Sequence, residues 1–337
     1  MINFKHIYKH LFVAATVGIA TVTGLSSCGL INDDLDPCAQ GVELRFVYDY
    51  NMEFANAFPS QVDCLTLLVY DDNGNYIKTI TETAESKLSD ENWRMTLDLP
   101  GGKYQFIAYG GLECDKSTFH FVNTPAKGSK MTDLQVAMDD YCINADPGVE
   151  LHHLFYGALE VEVPDVSTGY TQATLYMMKD TNNIRILLQN VDGAPVDPDD
   201  YIFTIVDDNA LLAYNNDCVP GEGITYTPWA TGQVSPGTVG TVIAELGYAE
   251  FSTSRLIENS GARLVIKNAH TQNIIIDIPL VNYLTLLRSQ QFANMSDQEF
   301  LDRESRWSVI LFLEAGYWLN TRIIINDWVV RINSFEP

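Results

Sequence analysis

Over 337 residues the chain carries 44 acidic against 20 basic side chains, a formal charge of −24, which repels phosphate backbones and excludes nucleic-acid binding. Hydrophobic residues make up 46% and charged residues 19%, so this is a chain with a core and not a disordered acidic tail. The length suffices for about two domains, and 17 Tyr, 15 Phe and 5 Trp lean the composition toward strands.

Residues 1–27 read as a secretory leader. Lys5 and Lys9 supply a basic start, and an apolar run of 15 residues follows from Leu11 to Leu25. A spanning helix needs about 20 apolar residues, so the run fits a signal-peptide core. It ends in Leu25-Ser26-Ser27-Cys28, the lipobox pattern of bacterial lipoproteins. The Cys28 thiol would take a diacylglycerol, and cleavage would leave Cys28 as the new N-terminus. Acyl chains bind a bilayer with about 0.8 kcal/mol per buried methylene, and two or three together anchor firmly. The alternative is a secreted protein cut at a nearby Ala, but charge, length and box together favour lipidation. Residues 28–40 form an acidic linker, in which Asp33, Asp34 and Asp36 resemble the export signal of surface lipoproteins in Bacteroides-type bacteria. The expected location is the outer membrane, lipid-anchored and facing outward.

Strand patterns then follow in order: Val42 to Tyr48, Leu65 to Tyr70, Tyr76 to Ile80, Trp93 to Leu99 and Tyr104 to Tyr109. Asn73-Gly74 between the second and third is a strong hairpin signal. Such spacing indicates a β-sandwich. Pro164 to Gly169 reads as a boundary, giving one sandwich over residues 41–165 and a second over 166–337. The second begins with Ala173 to Met178 and continues through Ile184 to Gln189, Tyr201 to Val206, Ala262 to Lys267 and Ile274 to Ile278. Ser296 and Glu299 form a capping box that predicts one short helix. Two apolar strands, Trp307 to Leu313 and Arg322 to Val330, close the chain. The fold class is all-β.

Few residues suggest chemistry. Beyond Cys28 the cysteines are Cys38, Cys64, Cys114, Cys142 and Cys218. Four of these precede residue 150, so bridges should staple the first sandwich, with Cys218 the simplest free thiol; the pairing stays open. Asp71, Asn73 and Asn75 have the spacing of a calcium loop, but Tyr76 stands where glycine is needed, so a hairpin turn is favoured. His152 and His153, taken as strand neighbours, would face opposite sides, one into the core and one to solvent, and would not share a metal. Trp229, Trp318 and Tyr317 could stack on sugar rings, although core packing is the commoner role. No nucleophile elbow, zinc helix or phosphate loop is present. No enzyme, cofactor or metal is expected.

The pieces resemble, in order, the FimB/Mfa-type fimbrial anchor family, the fimbrillin-associated anchor proteins of type V pili. They include Asp36-Pro37-Cys38, Val47 to Met52, Leu99 to Tyr104, Met178 to Asn182, Tyr226 to Trp229, Thr253 to Leu256, Met295 to Glu304 and Ile325 to Arg331. The resemblance implies two tandem transthyretin-like β-sandwiches and a non-enzymatic role in which fimbrial shaft subunits are held at the outer membrane and their assembly is ended or limited. A tip adhesin or surface glycan-binding lipoprotein of the same fold is the alternative. Related shaft subunits lose their first strand to an Arg-specific protease and polymerise by strand exchange. In this chain the same cut, after Arg45, would sever the lipid anchor, so Arg45 is expected within a paired strand. The pilus contact is then expected from the C-terminal strands.

Overall fold

The computed structural model describes residues 39–165, 169–235, 238–239, 242–243, 245–288, 292–325 and 328–330. The strands of the first half are β1 (Gln40–Val47), β2 (Leu65–Asp71), β3 (Tyr76–Glu82), β4 (Met95–Asp98) and β5 (Gly102–Gly110). They continue with β6 (Phe119–Phe121), β7 (Gln135–Met138), β8 (Phe155–Val163), β9 (Gly169–Tyr176) and β10 (Met178–Lys179). Two short helices, α1 (Phe58–Gln61) and α2 (Glu85–Leu88), interrupt them. The second half holds β11 (Asn182–Asn190), β12 (Tyr201–Asp207), β13 (Leu211–Ala213), β14 (Ile224–Tyr226) and β15 (Ala230–Val234). After the small β16 (Thr238–Val239) and β17 (Val242–Ile243) hairpin come β18 (Leu246–Thr253), β19 (Arg263–Asn268) and β20 (Ile274–Pro279). Helices α3 (Leu280–Leu284) and α4 (Asp297–Arg303) precede β21 (Arg306–Glu314), β22 (Tyr317–Ile325) and β23 (Trp328–Val330).

The first sandwich packs a three-stranded sheet, β4-β1-β9, against a five-stranded one, β10-β8-β5-β2-β3. The second packs a six-stranded sheet, β15-β18-β11-β21-β22-β23, against a four-stranded one, β14-β12-β19-β20. The protein is therefore all-β, with helices only as short connectors.

One expectation needs correction. The strand expected to open the second sandwich, β9, runs parallel to β1 in the first sheet, Gln40 opposite Gly169 through Val47 opposite Tyr176. Leu175 and Met177 belong to the first core, and β10 pairs with β8. The division between the two sets of sheets thus falls after Lys179, not at residue 165. The turn at Pro164 is a connection within one sandwich.

The continuous apolar run of β2 has a physical reason. Leu65, Leu67 and Val69 face the core of the first sandwich, while Leu68 and Tyr70 face outward into a second apolar body. In β5, Phe106 and Ala108 point one way and Ile107 and Tyr109 the other. A strand buried on both faces loses its polar alternation. The second body continues through Phe119, Phe121, Val136 and Met138 to Leu212 and Ile205. A small sheet, β13-β7-β6, carries it across, because β13 of the second half pairs with β7 of the first. The two sandwiches share a core and are not beads on a linker.

Candidate functional site

Strand β1 is the element on which retention or loss of the N-terminus turns. Val42, Leu44 and Phe46 are at most 4% exposed and point into the first core. On one side β1 pairs antiparallel with β4, Gly41 opposite Asp98 through Leu44 opposite Met95. On the other side β9 covers its whole length. Position 41 requires glycine: φ is +152°, and a Cβ would stand 1.9 Å from the Leu97 carbonyl oxygen. Arg45 is half-buried opposite Thr174, and its Nε is buried. The next side chain, Phe46, stacks between Phe58 at 5.8 Å and Trp93 at 6.0 Å. The Arg45–Phe46 bond thus lies in a paired, packed strand, and a protease would reach it only after local unfolding.

The other distinctive site is the junction between the sandwiches. Backbone bonds fix the connecting segment at three points: Met177 N to Val47 O, Asp180 N to Leu154 O and Asn183 N to Ser305 O, each 2.8 Å. Trp307 Nε1 donates to Asn182 Oδ1 at 3.2 Å, and Asn182 Nδ2 donates to Ser254 O at 3.3 Å. Arg255 grips Asp302 through two bonds of 2.8 Å and also donates to the Asn216 carbonyl. Asn216 Nδ2 donates to Asp180 Oδ1 at 2.8 Å. Asp180 is 0% exposed. Burial pushes its carboxyl from an ordinary 3.8 up to about 7, against the opposing pull of Arg255 and the Asn216 hydrogen bond.

That shift has a signed consequence. Below about pH 4 the carboxyl is protonated in both folded and unfolded chains; from there to about 7 only the folded form keeps its proton, so stability from this group falls as pH rises. His153 opposes it: burial lowers its imidazole to about 4, so its contribution rises with pH up to the ordinary 6.5. Asp180→Asn isolates the first effect. Relative to the native chain it should gain stability between about pH 4 and pH 8, by up to roughly 4 kcal/mol if the whole shift is expressed. Urea unfolding at both ends of that range checks this; a constant difference would contradict it.

With this geometry in view, comparison with known proteins is decisive. A family model for the fimbrillin-A associated anchor proteins Mfa1 and Mfa2 matches residues 35–334. The chain belongs to this family. A candidate adhesin of Bacteroides thetaiotaomicron is 50% identical over 89% of this chain and 100% of its own, with a TM-score of 0.84. Another protein of that organism, described as a candidate polysaccharide-binding protein, is 32% identical over 88% of this chain and 99% of its own, at 0.76. The fimbrial anchor protein Mfa2 of Porphyromonas gingivalis shares the fold, with 16% identity, 87% and 99% coverage and a TM-score of 0.67. No curated protein matches. The anchor family is structural rather than catalytic, and membership carries a fimbrial accessory role.

The residues singled out from sequence fall as follows in this anchor-family chain. Cys28 and Cys38 lie outside the described residues. Cys64 and Cys114 form a disulfide in the first sandwich, while Cys142 and Cys218 are free. Asp71 makes a turn: Oδ1 accepts from Asn73 N and Asn75 N at 2.8 and 2.9 Å, and β2 pairs with β3. His152 and His153 are in an irregular segment before β8, not in a strand, and both are half-buried. The expected core-and-solvent split fails because no pleat imposes it. His152 Nε2 lies 3.0 Å from Asp63 Oδ2, and His153 sits edge-on to Phe155. Trp229 and Trp318 bury their Nε1 atoms, and Trp318 packs against Tyr283. Tyr317 opens β22 opposite Glu314 and is 79% exposed. These three form no shared stacking surface.

Helix α4 starts where the capping box puts it, Ser296 Oγ accepting from Glu299 N at 3.0 Å. The Glu299 carboxylate binds Arg303 at 2.9 Å. Sequence reasoning missed the junction cluster Asp180, Asn216, Arg255 and Asp302. The signal was available: all but Asn216 lie in the polar stretches that carried the family resemblance.

Proposed function

We propose that this chain is an outer-membrane lipoprotein, acylated on Cys28 after removal of residues 1–27, that holds fimbrial shaft subunits at the cell surface and ends or limits their assembly. The supporting observation is the occupied seat of β1. A subunit that accepts a donor strand must first vacate that seat, whereas here both neighbours are paired to β1 and the Arg45–Phe46 bond is packed. An intact β1 keeps the body joined to the 28–40 linker and so to its lipid. Among the described residues no helix is long and apolar enough to cross a membrane, and the proposal assigns attachment to the acyl chains.

The C-terminal contact takes a narrower form than the sequence suggested. β21 lies between β11 and β22, so it is unavailable to a partner. β22 is enclosed in the same way by β21 and β23, whereas β23 is an outermost strand of its sheet, and the proposed contact with the basal shaft subunit is confined to β23. Truncation after Ile325 removes β23 without cutting β22.

The deciding experiment deletes the gene and scores fimbrial length and release. Shed, longer fimbriae are expected, restored by the native chain but not by Cys28→Ala, which should lose palmitate label and leave the membrane. Short, normally retained fimbriae after deletion would overturn the anchor reading. The names of the 50% and 32% identical relatives favour the adhesin or glycan-binding alternative; loss of adhesion with unchanged fimbrial length would select it.

A further inference from the structure

A pocket of about 310 Å³ opens on the outer face of the five-stranded sheet, where the segment before β7 and the turn after β13 flank β5 and β8. Its floor follows from register. Ile107 and Tyr109 of β5 face outward. Ala158 stands opposite Ile107, Tyr156 opposite Tyr109 and Glu160 opposite Gln105. Side chains alternate along a strand, so Gln105, Tyr156, Ala158 and Glu160 project to the same side as Ile107. Ala158 is exposed, and its single methyl group leaves a depression between Tyr156 and Glu160 that a longer side chain would fill. The walls come from both halves of the chain. On one side Met131 is pinned by its N–H, which donates to Gly74 O at 2.8 Å. On the other, Tyr214 O accepts from the Tyr156 hydroxyl at 3.0 Å. The turn that carries Tyr214 is closed by Ala213 N donating to Asp217 O at 2.8 Å and Asn216 N donating to Ala213 O at 2.9 Å. A site built in this way needs little reordering to bind.

The pocket is apolar at one end and anionic at the other. Met131, Ile107, Tyr156 and Tyr214 line it around Ala158, while Glu160 and Gln105 stand side by side on the floor beyond. Among the described residues no Lys, Arg or His lines it, and Glu160 forms no ion pair. In the next row outward Lys103 already faces Glu162. A free carboxylate on a chain of charge −24 attracts a cation and repels an anion. The matching ligand is an apolar stem that ends in one positive charge. Ala158 and Glu160 are two residues apart, about 7 Å along a strand, which is roughly the length of the four-carbon lysine stem with its ammonium. The three ammonium donors find acceptors in the Glu160 carboxylate and the Gln105 side-chain carbonyl. The volume is at the low end of the ~300–1,000 Å³ usual for ligand pockets, room for one side chain of a longer partner.

We propose that this pocket takes a lysine side chain of a partner polypeptide, its stem over Ala158 and Ile107 and its ammonium on Glu160 and Gln105. The site goes beyond anchoring and requires neither the lipid nor β23. The test uses the full chain in a detergent with neutral headgroups. The probe is N-acetyl-lysine methylamide, read by saturation-transfer NMR and titration, with the norleucine analogue, which keeps the stem and lacks the charge, and n-butylammonium as comparisons. Saturable binding of the lysine probe is expected, at least about tenfold tighter than that of the norleucine analogue. Glu160→Gln should remove that advantage, the scale of a lost charge-assisted hydrogen bond, and Ala158→Leu should weaken binding at least about tenfold by filling the floor. Both positions are exposed, so the melting temperature should not change, and Glu160→Gln alone decides if Ala158→Leu misfolds. No saturable binding of the lysine probe, equal binding of the norleucine analogue, undiminished binding in folded Glu160→Gln, or binding of n-butylammonium without the lysine probe would each overturn the proposal.

Discussion

Arg255→Ala is expected to cost the folded protein about 3–5 kcal/mol, the range for removing one partner of a buried ion pair. Arg255 is 13% and Asp302 7% exposed at the side chain, so water cannot replace the lost partner. Asp302 would keep only Gln298, which donates to Oδ1 at 2.9 Å. Asn216 would lose the guanidinium at its carbonyl, and buried Asp180 would lose the positive charge that offsets its own burial. Such a loss is a large part of the ~5–15 kcal/mol that holds a typical domain together. It should appear in guanidinium unfolding near pH 7 as a lower midpoint. The double change Arg255→Met with Asp302→Leu should recover most of the loss, because well-packed apolar residues often replace a buried pair at little cost. A loss below about 1 kcal/mol would be that of a solvent-exposed pair and would mean that the junction opens in solution. In the proposed anchoring role the protein would transmit load between its sandwiches, and Arg255 braces Asn216, which holds Asp180 in the segment that joins them.

The elements read correctly from sequence are those whose signal is local. The Asn73-Gly74 hairpin and the Ser296 cap each depend on a few neighbouring residues, and both are present. The strands β2 and β5 were legible as strands, but periodicity could not say that both their faces are buried by different bodies. Strand β9 was assigned to the wrong sandwich because its partner, β1, lies far earlier in the chain. A parallel pairing leaves no trace in the local pattern, and Pro164 looked like a boundary. β6 and β7, at three and four residues, are too short to show alternation. The packing of Arg303 on the Tyr50 and Phe54 rings was out of reach for a related reason. Tyr50 and Phe54 belong to a loop, and they meet Arg303 only because the two sandwiches close on each other. Phe54 also adopts a positive φ that side-chain propensity argues against, so its placement follows from the hydrogen bonds by which Asn51 and Asn56 brace the loop against Tyr48, Ala55 and Phe58, and not from Phe54 itself.

Removing residues 39–45 should unfold the first sandwich, and a peptide spanning residues 40–47 added in trans should restore it. The deletion removes two β1 side chains that fill the inner core, Val42 and Leu44, and takes away the strand that seats a third, Phe46. Burying each contributes roughly 1.5–3 kcal/mol, a sum that is a large part of the stability of a domain. The ladders to β4 and β9 would be lost as well. That leaves two strands with no partner in their sheet, the kind of open edges that pair with whatever chain is near. The shortened protein should therefore aggregate or lose near-UV dichroism, and the peptide should reverse this by re-entering between β4 and β9. The native chain should behave in the opposite way. An Arg-specific protease should leave its Arg45–Phe46 bond uncut at a dose that cleaves the shortened protein, since opening β1 costs a large share of domain stability and the cleavable state is rarely populated. A shortened chain that stays soluble with unchanged stability would remove β1 from the proposal that this family member keeps its N-terminus. Recovery of a native membrane-bound form beginning at Phe46 would do the same from the other side, because that chain would have exchanged its first strand and still held the cell.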